Sequence, residues 1–180
     1  MKRLNLIIAL LSLSFNSFAA EGLSLDDLGF NASDVKVDKA LTEKLEKRNW
    51  MLKAHQYTAL GALALMSGAI LTAGEHKQAK DSHVALGIAG ATAYYTAASF
   101  AFLAPELDEK TPARGMTVWH RRLAWIHFPA LLIGPTLGYL ANQKYKKGQE
   151  PTGMLKNHAA ITTIGFIAFA ASALTMTIEF

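Results

Sequence analysis

The chain is 180 residues long, 51% hydrophobic and 18% charged, which leaves room for one domain and is too apolar for an ordinary soluble one. Its formal charge of +4 comes from basic residues scattered between apolar runs, a distribution that fits loops beside a bilayer and not a nucleic-acid surface. Cysteine is absent, which excludes a disulfide framework, a thiolate-held iron–sulfur cluster and a cysteine-tethered c-type haem.

The chain opens on "MKRLNLIIALLSLSFNSFAAEG". Lys2 and Arg3 form a basic start, residues 4–15 an apolar core too short to span, and Ser17, Phe18 and Ala19 a small-x-small cleavage site. Residues 1–19 therefore read as a secretory signal of bacterial-envelope style. Residues 20–49 read as a periplasmic segment that begins as loop and becomes a short amphipathic helix near Asp38. There Val37, Leu41 and Leu45 recur every four residues among lysines and glutamates.

Four apolar segments follow, at 51–73, 84–105, 123–143 and 158–178, each close to the ~20 residues that a bilayer requires. Only Lys53 carries a full charge inside them, one turn from an end, where it can snorkel. Short connections make successive segments antiparallel, so the expected fold is all-α: an integral membrane four-helix up-down bundle over 50–180. With an exported N-terminus, the first and third connections are cytoplasmic. They hold Lys77, Lys80, Lys144, Lys146, Lys147 and Lys156, as the positive-inside rule expects of a multi-pass protein of the bacterial inner membrane. Arg121 and Arg122 fall on the opposite side and call for another explanation. Pro129 and Pro135 are expected to kink the third helix, and Trp50, Trp119 and Trp125 suit an aromatic belt.

There are six histidines. His76 lies in a loop, whereas His55, His83, His120, His127 and His158 lie at helix starts. Because the helices alternate in direction, His55 shares a level with His120 or His127, and His83 shares one with His158. Two pairs on opposite sides, each made by diagonal helices, is the layout that two bis-histidine haems need. One turn beyond four of these histidines stand Ala59, Gly87, Ala124 and Thr162, small enough for a flat ring to lie against the helix. The same position after His127 is Leu131. His120 is thus the preferred partner of His55, with His127 as an alternative ligand, a hydrogen-bonding group or part of a proton or quinol path. Arg121, Arg122 and Lys53 are placed to pair with haem propionates or to anchor helix ends among headgroups.

The segments "KAHQYTALG", "SHVALGIAG", "VWHRRLAW" and "NHAAITTIG" together resemble the cytochrome b561 family of transmembrane dihaem electron carriers, over roughly residues 50–178. The resemblance implies non-covalent haem b at two sites, His55 with His120 and His83 with His158. It also implies electron passage across the membrane, and the expected function is a one-electron relay between a cytoplasmic-side or quinol donor and a periplasmic acceptor such as a cytochrome. Ascorbate-binding features of the eukaryotic members are not identifiable here. No catalytic acid–base pair or nucleophile is visible, so any transmembrane reductase activity would come from electron delivery at a haem edge. The lipid bilayer and redox partners are the expected associations, nucleic acid is not, and a homo-oligomer is left open. The rival classes are a histidine-based metal or proton transporter and a cofactor-free membrane scaffold.

Overall fold

The computed structural model describes residues 38–73, 80–107 and 114–177. The expected signal at 1–19, the start of the periplasmic segment and His76 lie outside these residues. By packing, the chain divides into Met1–Lys39 and Ala40–Phe180, and the helices belong to the second unit but for the first residue of the first helix.

The described residues are 88% helical and contain no strand. Four long helices, α1 (Lys39–Thr72), α2 (Asp81–Leu103), α3 (Met116–Lys146) and α4 (His158–Thr177), follow one another, with a 3₁₀ turn at Gly153–Asn157 leading into the last. The amphipathic stretch near Asp38 and the first apolar segment, expected as separate elements, form one uninterrupted helix. No glycine or proline stands between Lys39 and Lys53 to break it. At 34 residues α1 is about 51 Å long, well beyond the ~30 Å of a hydrocarbon core.

Among the described residues, three stretches are long and apolar enough to cross a membrane: Asp81–Leu103, Met116–Lys146 and Gly153–Met176. In α1 the polar run His55, Gln56, Tyr57 and Thr58 dilutes the apolar part. Between 22% and 28% of each of the three windows is buried, so most of their apolar surface faces outward. Phe102, Leu103, Trp125 and Ile167, for example, are largely exposed. Helices apolar on every side suit a lipid surrounding and mark a multi-pass membrane chain.

All four helices contribute to one core. Ala62 and Met66 of α1, Tyr94 of α2, Leu131 of α3 and Phe169 of α4 form a single buried cluster. In lipid there is little hydrophobic drive between helices, so close contact depends on small residues. A Cβ at Gly165 would come within 2.8 Å of the Ala130 Cβ, and one at Gly134 would overlap the Thr162 methyl group. The α3 and α4 backbones therefore approach closely along a glycine seam. Pro129 and Pro135 both lie inside an unbroken α3. Pro135 has no N–H for the Leu131 carbonyl, and the Tyr95 hydroxyl of α2 donates to that oxygen instead, at 3.1 Å. At its end α3 closes with the Gln149 N–H on the Lys144 carbonyl and the Gly148 N–H on that of Tyr145. Gly148 takes φ +68° there, the left-handed conformation this cap requires. At the other end of the molecule the Arg48 guanidinium donates to the Pro105 carbonyl at 2.7 Å, and Trp50 meets Phe100 edge to face.

These contacts separate two kinds of glycine. Gly165→Ala should cost about 1–3 kcal/mol of stability through overpacking against Ala130 and Leu131. Gly61→Ala, where an added Cβ meets nothing within 4 Å, should be neutral or gain up to ~1 kcal/mol from helix propensity. Thermal unfolding of the two variants in detergent micelles checks both signs.

Candidate functional site

An imidazole in an apolar helix assembly has to satisfy its ring N–H, and each of the four layered histidines brings Nδ1 to a backbone carbonyl of the neighbouring helix, with the Ser172 hydroxyl closer still at His120. The Nδ1 of His55 lies 2.9 Å from the Ala97 carbonyl of α2, and that of His83 lies 2.7 Å from the Ala69 carbonyl of α1. The Nδ1 of His120 lies 3.2 Å from the Ser172 carbonyl of α4, and that of His158 lies 2.8 Å from the Gly134 carbonyl of α3. A carbonyl can only accept, so each Nδ1 carries the proton. Each neutral ring then keeps its lone pair on Nε2.

The four contacts obey one register. Each accepting residue stands fourteen positions after its own helix's histidine: Ala69 after His55, Ala97 after His83, Gly134 after His120 and Ser172 after His158. Fourteen residues are about 21 Å of helix and nearly four whole turns. Helices α1 and α2 therefore exchange two bonds at levels about 21 Å apart, and α3 and α4 make the same exchange. This reciprocity requires each hairpin to be antiparallel. It also requires a small residue wherever the neighbour's ring approaches the backbone.

The exchange brings histidines together across the assembly. The rings of His55 and His120 lie with centroids 6.2 Å apart at 84°, and those of His83 and His158 at 6.2 Å and 79°. An imidazole–metal bond is about 2 Å, and a ring nitrogen stands about 1 Å from its ring centre. Two imidazoles bound on opposite sides of one metal ion therefore have centroids about 6 Å apart. Both pairs have the centroid separation that two imidazoles holding one metal ion would have, and a carbonyl on Nδ1 is the usual outer partner of a ligating histidine. Among the described residues no group of three or more His, Asp or Glu comes together.

Around His83 and His158 lies a cavity of about 430 Å³, within the range of small-molecule and cofactor sites. Its walls are mainly apolar, with Ile70, Ile88 and Phe166 among them. Gly87, one turn after His83, faces open space, with nothing within 4 Å of where its Cβ would be. Asn142 also lines this cavity, and its Oδ1 is buried without a hydrogen-bond partner, a state that costs about 1–3 kcal/mol. Gly138 has a different role. A Cβ there would stand 2.8 Å from the His158 Nδ1, so the ring fills the groove that this glycine leaves.

His127 is placed apart from both pairs. It is 8% exposed, packed against Phe169, with its Nδ1 2.7 Å from the Tyr94 hydroxyl. The phenol and the ring share one hydrogen bond through Nδ1, where each of the other four rings faces a carbonyl that can only accept. The His127 Nε2 is buried and has no partner. His127 and His120 share a face of α3, but His127 meets a phenol from α2 and His120 a serine from α4. Arg121, Arg122 and Lys53 are exposed, and the Arg122 guanidinium lies over the Trp119 ring, 5.1 Å from its centre.

Sequence reasoning did not find Ser172 or the accepting carbonyls, nor did it place Tyr94. The fourteen-residue spacing from each histidine to a small residue was a signal available for the first two. Nothing local announces Tyr94, whose partner is 33 positions away.

Removing the Tyr94 hydroxyl leaves both His127 nitrogens buried without partners. Tyr94→Phe should therefore cost about 1–3 kcal/mol, and adding His127→Leu should recover part of that loss, since the orphaned polar group is then gone. Unfolding of the single and double variants in detergent micelles measures the coupling. No protein-family model, curated protein or solved structure matches the chain, so the ground for a function is the chemistry of the two histidine pairs.

Proposed function

We propose that this chain is a transmembrane b-type cytochrome that holds two haems b and relays single electrons between two faces of a membrane. The observation that carries the proposal is the pair of facing histidine couples, His55 with His120 and His83 with His158, each ring locked by a backbone carbonyl in the tautomer that leaves Nε2 free. Two imidazoles from diagonal helices at matched depth are what a b-type haem needs from its protein. A scaffold needs neither the pairing nor the common tautomer, and a metal carrier does not need two such pairs at separate levels.

In this reading α1 joins the three apolar helices as a fourth span, and the four form an up-down bundle. The N-terminus is exported after removal of a signal, so the His55–His120 level lies toward the periplasm of a bacterial inner membrane. Haem b supplies a one-electron iron couple when bound, and the chain's own residues do the rest. His55, His83, His120 and His158 hold the two sites. The cavity walls Ile70, Ile88 and Phe166 keep the His83–His158 site dry, and Gly87 and Gly138 make room for flat rings. The buried cluster of Ala62, Met66, Tyr94, Leu131 and Phe169 fills the space between the two levels with protein. With both sites occupied, electrons would cross in shorter steps than the whole hydrocarbon thickness. Arg121 and Lys53, exposed near the His55–His120 level, are available to propionates, and Arg122 is shared with Trp119. The redox partners in this reading are a quinol or soluble donor and a periplasmic acceptor.

The deciding measurement is a dithionite-reduced minus oxidised visible spectrum of the detergent-purified protein, with a pyridine haemochrome assay. We expect about two haems b per chain. His158→Ala and His120→Ala should each lose one haem, and His127→Leu should keep both. Protein purified without haem from a haem-replete host would sink the proposal and turn attention to metal analysis.

A further inference from the structure

Seven serines and threonines in these helices share one habit. The hydroxyls of Thr58, Ser67, Thr72, Thr92, Thr96, Ser99 and Thr162 all donate to the carbonyl four residues back on their own helix, the usual way to satisfy a hydroxyl in an apolar helix. Ser172 departs from it. Its side chain, 1% exposed, reaches across to α3, with Oγ 2.8 Å from the His120 Nδ1 and 3.5 Å from the His120 carbonyl. The consistent arrangement has His120 Nδ1–H donating to Ser172 Oγ and Ser172 Oγ–H directed at the His120 carbonyl.

Ser172 also occupies a special place in the fourteen-residue register. The equivalent residues Ala69, Ala97 and Gly134 offer a carbonyl alone, so His83, His55 and His158 each have one strong acceptor. At His120 the shorter contact is to a hydroxyl, a weaker acceptor than a peptide carbonyl. The Ser172 carbonyl itself takes a 2.7 Å bond from the Thr175 hydroxyl and lies 3.2 Å from His120. Ala69 also accepts a second hydroxyl, that of Thr72 at 3.1 Å, yet keeps His83 at 2.7 Å. A weaker acceptor on Nδ1–H leaves the imidazole less electron-rich at Nε2, and so a poorer stabiliser of oxidised iron.

We propose that Ser172 is a positioning residue that makes the His55–His120 site the more oxidising of the two, so that a shared electron passes from the His83–His158 site to the His55–His120 site. This rests on the dihaem reading above. The step is one electron, with one iron oxidised and the other reduced by the same amount; no bond forms and no proton is released.

Redox titration of the purified protein with dithionite and ferricyanide, followed in the visible spectrum, tests it. Wild type should show two midpoint potentials. Titrating His158→Ala, which keeps only the His55–His120 site, should identify the higher one with that site. Ser172→Ala leaves His120 only the backbone carbonyl, so the higher potential should fall while the lower stays. The equilibrium preference for the electron on that site should shrink by roughly two- to tenfold, the ordinary weight of one hydrogen bond. Ser172→Thr, which keeps a hydroxyl, should restore it. Two haems with equal potentials, a Ser172→Ala variant with both unchanged, or the higher potential found at the His83–His158 site would each overturn the inference while leaving the cytochrome standing. Absence of haem from wild type would remove the cytochrome reading itself.

Discussion

The whole arrangement depends on one requirement: a neutral imidazole inside an apolar helix assembly must hand its N–H to something, and backbone carbonyls of the neighbouring helix are what it finds. A helical carbonyl already accepts from four residues ahead but keeps a second lone pair. Reaching it requires two backbones to come close, which explains the small residues at the accepting positions, Ala69, Ala97, Gly134 and Ser172. The same closeness sets the spacing within each hairpin, and with it the volume left for the core cluster of Ala62, Met66, Tyr94, Leu131 and Phe169.

The register of these bonds also fixes how the molecule is layered. Nearly four helical turns separate each histidine from the carbonyl that serves its neighbour, so the polar contacts fall at two levels about 21 Å apart with apolar packing between. Within that packing stands one polar pair, Tyr94 with His127. Its hydrogen bond differs in kind from those of the layered histidines, because a phenol can donate or accept where a carbonyl only accepts. Residue type alone therefore does not define a ligand. The partner on one ring nitrogen decides what the other can do.

Several smaller features serve the same end of leaving no backbone or side-chain group unsatisfied in an apolar surrounding. Tyr95 takes over the carbonyl that Pro135 abandons, hydroxyls fold back onto their own helices, and Gly138 yields space so that the His158 ring can reach the Gly134 carbonyl. An exception is Asn142, a residue of the cavity wall whose Oδ1 is buried without a partner. The proposed haem sites and the proposed difference between them both follow from this accounting of hydrogen bonds.

The sequence by itself determined the helical, apolar character of the chain and the levels of its histidines. Both follow from local composition and from counting residues along helices of fixed rise. Local breakers were legible too, which is why α1 could have been read as one helix: nothing in residues 39–53 interrupts it. Tertiary structure alone decided which histidine faces His55. His120 and His127 share a helical face two turns apart, and only the position of Tyr94, supplied by another helix, draws His127 into the core. The accepting carbonyls were equally hidden, since every residue has one and only helix packing selects four of them. Ser172 shows the limit most clearly. Alone on its helix it would be expected to bond backward like its neighbours, and the presence of His120 across a narrow gap is what turns it outward.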